Sequence, residues 1–216
     1  MRHYFHKIFL LLLAVALAFS LSGCVKGQQE NIAQEQAAIV VYDSLGRKIE
    51  LAKPLTRVAI ANAYNTDLTE LVSALGCLDT IVGIDQNILW NPDAFHHKFT
   101  KDQLICAREG LAINYEKVIE LKPQALLISS KGSWYDAQEK LGYFGIKVIV
   151  IDTHHLEQFG ANCELLGKIF GKEARAREIK EYFGGQLAYV QKQLANISSR
   201  KTVYFECGGP GATTMP

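Results

Sequence analysis

Residues 57–85 read RVAIANAYNTDLTELVSALGCLDTIVGID, and this stretch decides the fold. Val58 to Ala61 is an unbroken apolar run of strand length, and Ile81 to Ile84 is a second one. Between them, Thr66 to Leu75 puts Leu68, Leu71, Val72 and Leu75 on one helical face, with Thr66 as expected N-cap, Asp67 and Glu70 in the first turn and Gly76 as the stop. Two buried strands separated by a helix are too far apart for a hairpin. They predict a right-handed βαβ unit with parallel strands.

The rhythm continues downstream, with strands recurring every 21 to 23 residues: a weak one at Gln103 to Cys106, then Ala125 to Ile128 and Val148 to Ile151. Asn114 caps a short helix that runs through Leu121 and is ended by Pro123, and Trp134 to Phe144 makes another before Gly145. The fold class is therefore α/β with a parallel sheet, and ligands of such sheets bind beyond the carboxyl ends of the strands. Upstream, Ile39 to Tyr42 and Lys48 to Leu51 read as a hairpin around Asp43-Ser44-Leu45-Gly46-Arg47, set apart from the sheet by Pro54. After Asp152 the pattern changes. A helix from about Leu156 to Phe170 is stopped by Gly171, and a second runs from Lys172 to about Ile197 with Ile179, Phe183, Leu187, Val190, Leu194 and Ile197 at three- and four-residue spacing. At about 1.5 Å per residue it is roughly 38 Å long. Gly184-Gly185 inside it predicts a kink or a close helix contact. A further strand is expected at Thr202 to Glu206, followed by a turn at Gly208 to Gly211.

At the amino terminus, Arg2 and Lys7 precede an uncharged run from Ile8 to Phe19, too short to cross a bilayer, where about 20 apolar residues are needed. Leu21-Ser22-Gly23-Cys24 follows and resembles the lipobox of bacterial lipoproteins. That resemblance implies cleavage after residue 23 and acylation of Cys24, each acyl chain contributing about 0.8 kcal/mol per buried methylene. An ordinary signal peptide with an incidental cysteine is the competing reading. Loss of residues 1–23 removes two basic residues and no carboxylate, leaving 21 Lys+Arg against 22 Asp+Glu. Such a balance argues against nucleic acid as a partner. Residues 24–38 are polar, lack aromatic side chains and read as a flexible tether. Cys77, Cys106, Cys163 and Cys207 are widely scattered with no C-x-x-C, which fits buried free thiols better than a disulfide framework or a zinc cluster, although export leaves pairing open.

Taken together, the lipobox, the Asp43 to Arg47 hairpin, Arg57-Val58-Ala59-Ile60 leading into Thr66 to Glu70, Ile81 to Asp85, the block Asn114-Tyr115-Glu116-Lys117-Val118-Ile119-Glu120-Leu121-Lys122-Pro123, Leu141 to Gly145 and the long helix resemble the substrate-binding lipoproteins of ABC importers for iron-siderophore complexes, haem and vitamin B12. The resemblance implies two α/β lobes joined by a rigid helix, with the ligand between them. It assigns residues 39–170 to an N-terminal lobe, 171–198 to the interlobe helix and 199–216 to the start of a C-terminal lobe that the sequence does not complete. It also implies a ferric siderophore, haem or corrinoid as ligand, no further cofactor, an ABC permease as partner, a lipid-anchored extracytoplasmic monomer, and Glu116 as the carboxylate that docks on the permease. An ordinary first-turn glutamate is the alternative for Glu116.

Position on the strand ends nominates the ligand contacts. They are Asn62, Tyr64 and Asn65 after the first strand, Asp85, Gln86 and Trp90 after the second, Arg108 after the weak strand, and Ser130, Lys131, Trp134 and Tyr135 after the next. Aromatic faces cover the conjugated surface of a chelate, while Arg and Lys meet its carboxylates or phosphates. For each, a solvated loop side chain is the competing reading, and Asn65 and Asn114 also suit helix caps. His96-His97 and His154-His155 lack a metal-site spacing; His154 and His155 alone follow a strand end. No nucleophile elbow, Walker loop or dinucleotide fingerprint is present, so binding rather than catalysis is expected. Two other functions remain open: a binder of bare metal ions or oxyanions, or a truncated lipoprotein that no longer transports, with an exported α/β enzyme least favoured.

Overall fold

Short apolar runs that are buried on both faces cannot serve a half-exposed sheet, and here they become the centre of a covered one. The computed structural model describes residues 39–61, 66–90, 95, 98–107, 112–197, 199, 201 and 202. Its strands are β1 (Ile39–Tyr42), β2 (Lys48–Leu51), β3 (Val58–Ala61), β4 (Ile81–Asp85), β5 (Leu104–Ala107), β6 (Ala112–Ile113), β7 (Ala125–Ile128) and β8 (Lys147–Val150). The helices are α1 (Asp67–Ala74), α2 (Gln86–Trp90), α3 (Tyr115–Leu121), α4 (Trp134–Gly142), α5 (Phe159–Phe170) and α6 (Glu173–Leu194). β1 and β2 pair antiparallel, and the other six strands form one sheet in the order β6-β5-β4-β3-β7-β8. All neighbours in that sheet are parallel except β5 and β6. The expected α/β class and long helix are what the chain adopts, and the expected parallel sheet carries one antiparallel edge strand, β6.

Alternation along the strands builds two cores. Val58, Ile60, Leu127 and Ile149 face α1, α5 and the β1–β2 hairpin, whereas Ala59, Ala61, Leu126, Ile128, Val148 and Val150 face α3 and α4. From β3 the chain crosses to β4 through α1 on one face; from β7 it crosses the opposite way to β8 through α4 on the other face. Reversing both direction and face keeps a single handedness. The reversal makes β3 and β7 the switch point of the sheet.

The edge strand β8 is closed by the hairpin turn. Ser44 N–H donates to Val150 O at 2.9 Å, the Asp43 carboxylate accepts from Val150 N–H at 3.2 Å, and Arg47 Nη2 donates to Val148 O at 3.0 Å. A turn thus supplies the partners that a seventh strand would offer, and blunts an edge open to aggregation.

Several boundaries differ from expectation, each for a local reason. Thr66 sits in the helical region (φ −103°, ψ −2°), so its hydroxyl makes no cap and turns instead to Glu70. Asn114 does cap α3, its Oδ1 accepting from Lys117 N–H at 2.9 Å. The helix expected through Phe144 ends at Gly142, and the one expected from Leu156 opens with a 3-10 turn at Leu156–Gln158 before α5. α6 packs only along its first half: Ala176 is buried against α5, where Gly167 allows the approach, and the Phe183 ring lies 4.1 Å from that of Phe159. Gly184 and Gly185 break nothing. The helix runs on through them, and no group lies within 4 Å of where their Cβ atoms would be. Cys77, Cys106 and Cys163 are buried free thiols; burial pushes Cys106 up to about 12 and Cys163 up to about 11. Cys207, the strand expected at Thr202 to Glu206 beyond its first residue, Cys24 and the segments 1–23 and 24–38 lie outside the described residues.

Candidate ligand-binding ledge at the strand ends

Beyond the carboxyl ends of β7 and β8, two short segments meet. Ser129, fully buried, follows β7; its N–H reaches Ala61 O of β3 at 3.4 Å, and its hydroxyl accepts from Lys131 N–H at 3.3 Å. Its Oγ also lies 3.4 Å from His154 Nε2. Ser130 Oγ donates to Asp152 Oδ2 at 3.0 Å, while Asp152 Oδ1 accepts from His154 N–H at 3.1 Å. Ser44 Oγ accepts from Asp152 N–H at 2.8 Å, and Asn162 on α5 donates to Asp152 O at 2.8 Å. Asp152 is thereby fixed on both main-chain sides. Burial works to raise its pKa, but the His154 N–H, the Ser130 hydroxyl and the two neighbouring imidazoles outweigh it and lower the value.

In front of this cluster lies a cavity of about 210 Å³ lined by Asp67, Leu71, Thr153, His154, His155, Leu156, Phe159 and Asn162. The Thr153 hydroxyl is buried there and has no hydrogen-bond partner among the described residues. Drug-sized ligands need about 300 to 1,000 Å³, so this is a ledge that a bulky ligand would rest against rather than be enclosed by. A larger groove, about 510 Å³, runs alongside β8 between β2 and α4 and is lined by Arg47, Lys48, Glu50, Trp134, Tyr135 and Lys147 among others. It follows the flank of the sheet, not the strand ends where the polar groups converge. The ledge is therefore the better candidate.

The residues nominated from sequence fall into separate groups. His154 and His155 line the cavity, and Ser130 joins the cluster behind it through Asp152 and Lys131 through its main-chain N–H on Ser129. Trp134 and Tyr135 open α4, but Trp134 is half-buried with Arg47 stacked 4.8 Å from its ring, while Tyr135 stays exposed. Asp85 is fully buried at the end of β4 and accepts from Asn87 N–H at 2.8 Å, starting α2; Gln86 is the first residue of that helix. Trp90 closes α2 and is 59% exposed. Glu116 is an exposed first-turn residue of α3. Asn62, Tyr64, Asn65, Arg108, His96 and His97 lie outside the described residues. Sequence reasoning passed over Ser129, Asp152 and Asn162. Ser129 directly follows β7 and Asp152 directly follows the expected strand Val148 to Ile151, which is the signal that was available; Asn162 carries no local signal, because its partner is ten residues away on another element.

Among the described residues no three His, Cys, Asp or Glu side chains come together as a metal ion would require. No helix among them is long and apolar enough to cross a membrane. The chain is 23% identical over 206 residues to the petrobactin-binding protein YclQ of Bacillus subtilis, covering 91% of this chain and 61% of that protein. It is 26% identical over 132 residues to the vitamin B12-binding protein of Photorhabdus laumondii, covering 61% of this chain and 46% of that one. The chain thus spans less than two thirds of the length of either relative. In fold it resembles the periplasmic solute binding protein from Veillonella parvula, with a TM-score of 0.62 and 24% identity over 72% of this chain and 48% of the other. The family model described as periplasmic binding protein matches residues 62–216, most of the parallel sheet, the ledge and the long helix included, and the chain belongs to the periplasmic binding proteins.

Proposed function

We propose that this chain is the solute-binding component of an ABC importer, held outside the cytoplasm by lipid on Cys24, and that it captures a ferric siderophore, haem or a corrinoid and presents it to a membrane permease. The observation that carries the reading is the polar ledge at the carboxyl ends of β7 and β8, beside the switch point of a sheet whose family binds solutes. Two relatives whose names specify petrobactin and vitamin B12 as ligands support a chelate-sized cargo. Ser130, Lys131 and His154 offer hydroxyl, ammonium and imidazole groups to its periphery, with Tyr135 and Trp90 exposed for its apolar surface. Asn62, Tyr64, Asn65 and Arg108 belong to the same set by position in the sequence. Asp85 and Gln86 shape the turn into α2. Glu116 would meet a basic residue of the permease; one exposed ion pair is worth about 0 to 1 kcal/mol, so it sets register more than affinity.

Tryptophan fluorescence tests the reading. Titration with ferric siderophores, haemin, cobalamin, zinc and molybdate is expected to give saturable quenching by one of the chelates, carried by Trp90. Quenching by zinc or molybdate alone would transfer the site to bare ions, and indifference to all five would remove the binding function.

A further inference from the structure

The two ends of the sheet differ in charge. Lys53, Arg57, Lys122, Lys147, Lys168 and Lys172 are all exposed, and all lie in or beside the connections at the amino ends of the parallel strands. Hydrogen bonds tie those connections into one surface: Gln124 N–H to Arg57 O at 2.9 Å, Lys147 N–H to Gln124 O at 3.0 Å and Leu55 N–H to Ile169 O at 2.7 Å. Of the nearby carboxylates, Asp79 is paired with Lys98, Glu50 with Lys48 and Glu120 with Lys117, while Glu173 follows Lys172 in the first turn of α6. The carboxyl ends carry mostly carboxylates, Asp67, Glu70, Glu116 and Asp136 in the first turns of helices and Asp152 two residues after β8, against Lys117 and Lys131.

Helix dipoles explain part of this polarity, since cations are favoured at helix C-termini. They do not explain the aromatic pair at the same pole. Tyr143 is 90% exposed and Phe144 60% exposed in the turn between α4 and β8. The chain also enters the fold here: Ile39 pairs with Leu51, three residues before Pro54, and Pro54 packs on Gly171. Upstream of Ile39 the same chain leads back to Cys24, the residue proposed above to carry lipid.

We propose that this basic, aromatic-tipped pole rests on the surface of an anionic lipid bilayer, with Tyr143 and Phe144 among the headgroups and the surrounding lysines facing lipid phosphates. Tyrosine favours the membrane–water boundary, phenylalanine buries its ring at the headgroup–acyl boundary, and lysines are drawn to an anionic leaflet within a Debye length. A bilayer suits the surface better than an acidic protein because, on the anchoring proposed above, lipid on Cys24 ties the chain to a membrane only a short tether away from Ile39. The stretch from Cys24 to Ile39 extends to at most about 50 Å. Lying on this pole turns the ledge at the strand ends toward solvent, where solute arrives. Docking on a permease then requires the molecule to lift and turn over on its tether. The idea is independent of which solute is bound, and its failure leaves the binding reading intact.

Hydroxyl-radical footprinting of the full chain on vesicles tests it. On phosphatidylglycerol, oxidation of Tyr143 and Phe144 is expected to fall at least about fivefold relative to phosphatidylcholine, the factor expected for one or more lysine contacts. Tyr135, at the opposite pole, is expected to stay open on both. Protection is expected to vanish near 1 M salt, where the Debye length is about 3 Å, and in the Lys53→Glu/Lys147→Glu variant. Equal oxidation on the two lipids, salt-insensitive protection, or protection of Tyr135 in place of Tyr143 overturns the proposal. So does protection by polyglutamate with none by phosphatidylglycerol, which would assign the pole to an acidic protein.

Discussion

Asp43 is the residue on which the edge of the sheet depends. Its Oδ1 accepts from Leu45 N–H and Arg47 N–H, both at 3.0 Å, and its Oδ2 from Arg47 Nε and Nη2 at 2.9 and 2.6 Å and from Val150 N–H at 3.2 Å. The carboxylate is fully buried, whereas Arg47 keeps a quarter of its side-chain surface, 26%. Asp43→Ala is therefore expected to cost about 3 kcal/mol, the low end for breaking a buried pair, because Arg47 regains some solvation. Urea unfolding checks it, with an unchanged m-value showing that the denatured state is not what moved. Tyr115 supplies a pH-dependent test. Burial, and then its hydrogen bond to Asp136 at 2.7 Å, raise the tyrosine pKa; the same bond, followed by Lys140, lowers that of Asp136. A raised tyrosine contributes stability that is complete below about pH 10 and is lost as pH climbs above it. A lowered carboxylate contributes stability that is complete above about pH 4 and is lost as pH falls through its folded value. Tyr115→Phe is expected to remove the alkaline loss, weaken the acidic one and lower the urea midpoint between them. An unaltered alkaline limb in the variant would show that another group governs it.

At the scale of elements, two glycines set how closely helices approach. A Cβ on Gly83 in β4 would lie 2.9 Å from Ile105 Cγ2, which moves by rotation about χ1, 3.1 Å from Ala59 Cβ and 3.2 Å from Leu121 Cδ1, a side-chain tip that can shift. On Gly167 it would lie 2.6 Å from Ala176 Cβ and 3.3 Å from Glu173 Cα, atoms that move only with the α6 backbone. Gly83→Ala is expected to cost about 1 kcal/mol and Gly167→Ala about 3 kcal/mol, at the two ends of the overpacking range. Thermal unfolding of the two variants ranks them, and the reverse order would mean that α6 shifts more easily than the sheet. The contacts behind this ranking also show what the sequence discloses. β3 and β7 match the expected runs Val58 to Ala61 and Ala125 to Ile128, since strands buried on both faces must be apolar throughout. β6 escaped notice because two residues, Ala112–Ile113, carry no period. The order of the strands and the closure of β8 by Asp43, 107 residues earlier in the chain, arise only from tertiary pairing. For the site, topology pointed to the strand ends and so to Ser130 and Lys131. That Trp134 would stack on Arg47, and that Asp85 would turn inward to Asn87, depended on neighbours no local pattern specifies.

Seen whole, the described part of the molecule is a packed α/β layer structure from which a rod projects. Ala176 is buried and Ile179 and Phe183 are half-buried, but beyond Gly184 the apolar stripe continues without cover: Leu187 is 36% exposed, Val190 49%, Leu194 55% and Ile197 53%. A helix of that length has little intrinsic stability in water, where segments shorter than about 12 to 15 residues are marginal, and two glycines at its root cost about 1 kcal/mol each relative to alanine. Residues 173–183 should therefore share the stability of the layers, while residues 186–194 should open almost independently. Hydrogen exchange of the full chain is expected to show a break in protection at Gly184, with the distal peptides exchanging at least about tenfold faster than the proximal ones. Gly184→Ala/Gly185→Ala separates intrinsic helix propensity from missing cover, because open space surrounds both positions and the added methyl groups meet nothing. The double substitution is expected to extend protection past residue 186 by about 2 kcal/mol, slowing distal exchange by roughly thirtyfold. Should the wild-type rod already be as protected as its root, the stripe is covered in solution, and the surface that covers Leu187, Val190 and Leu194 becomes a structural element of the molecule in its own right.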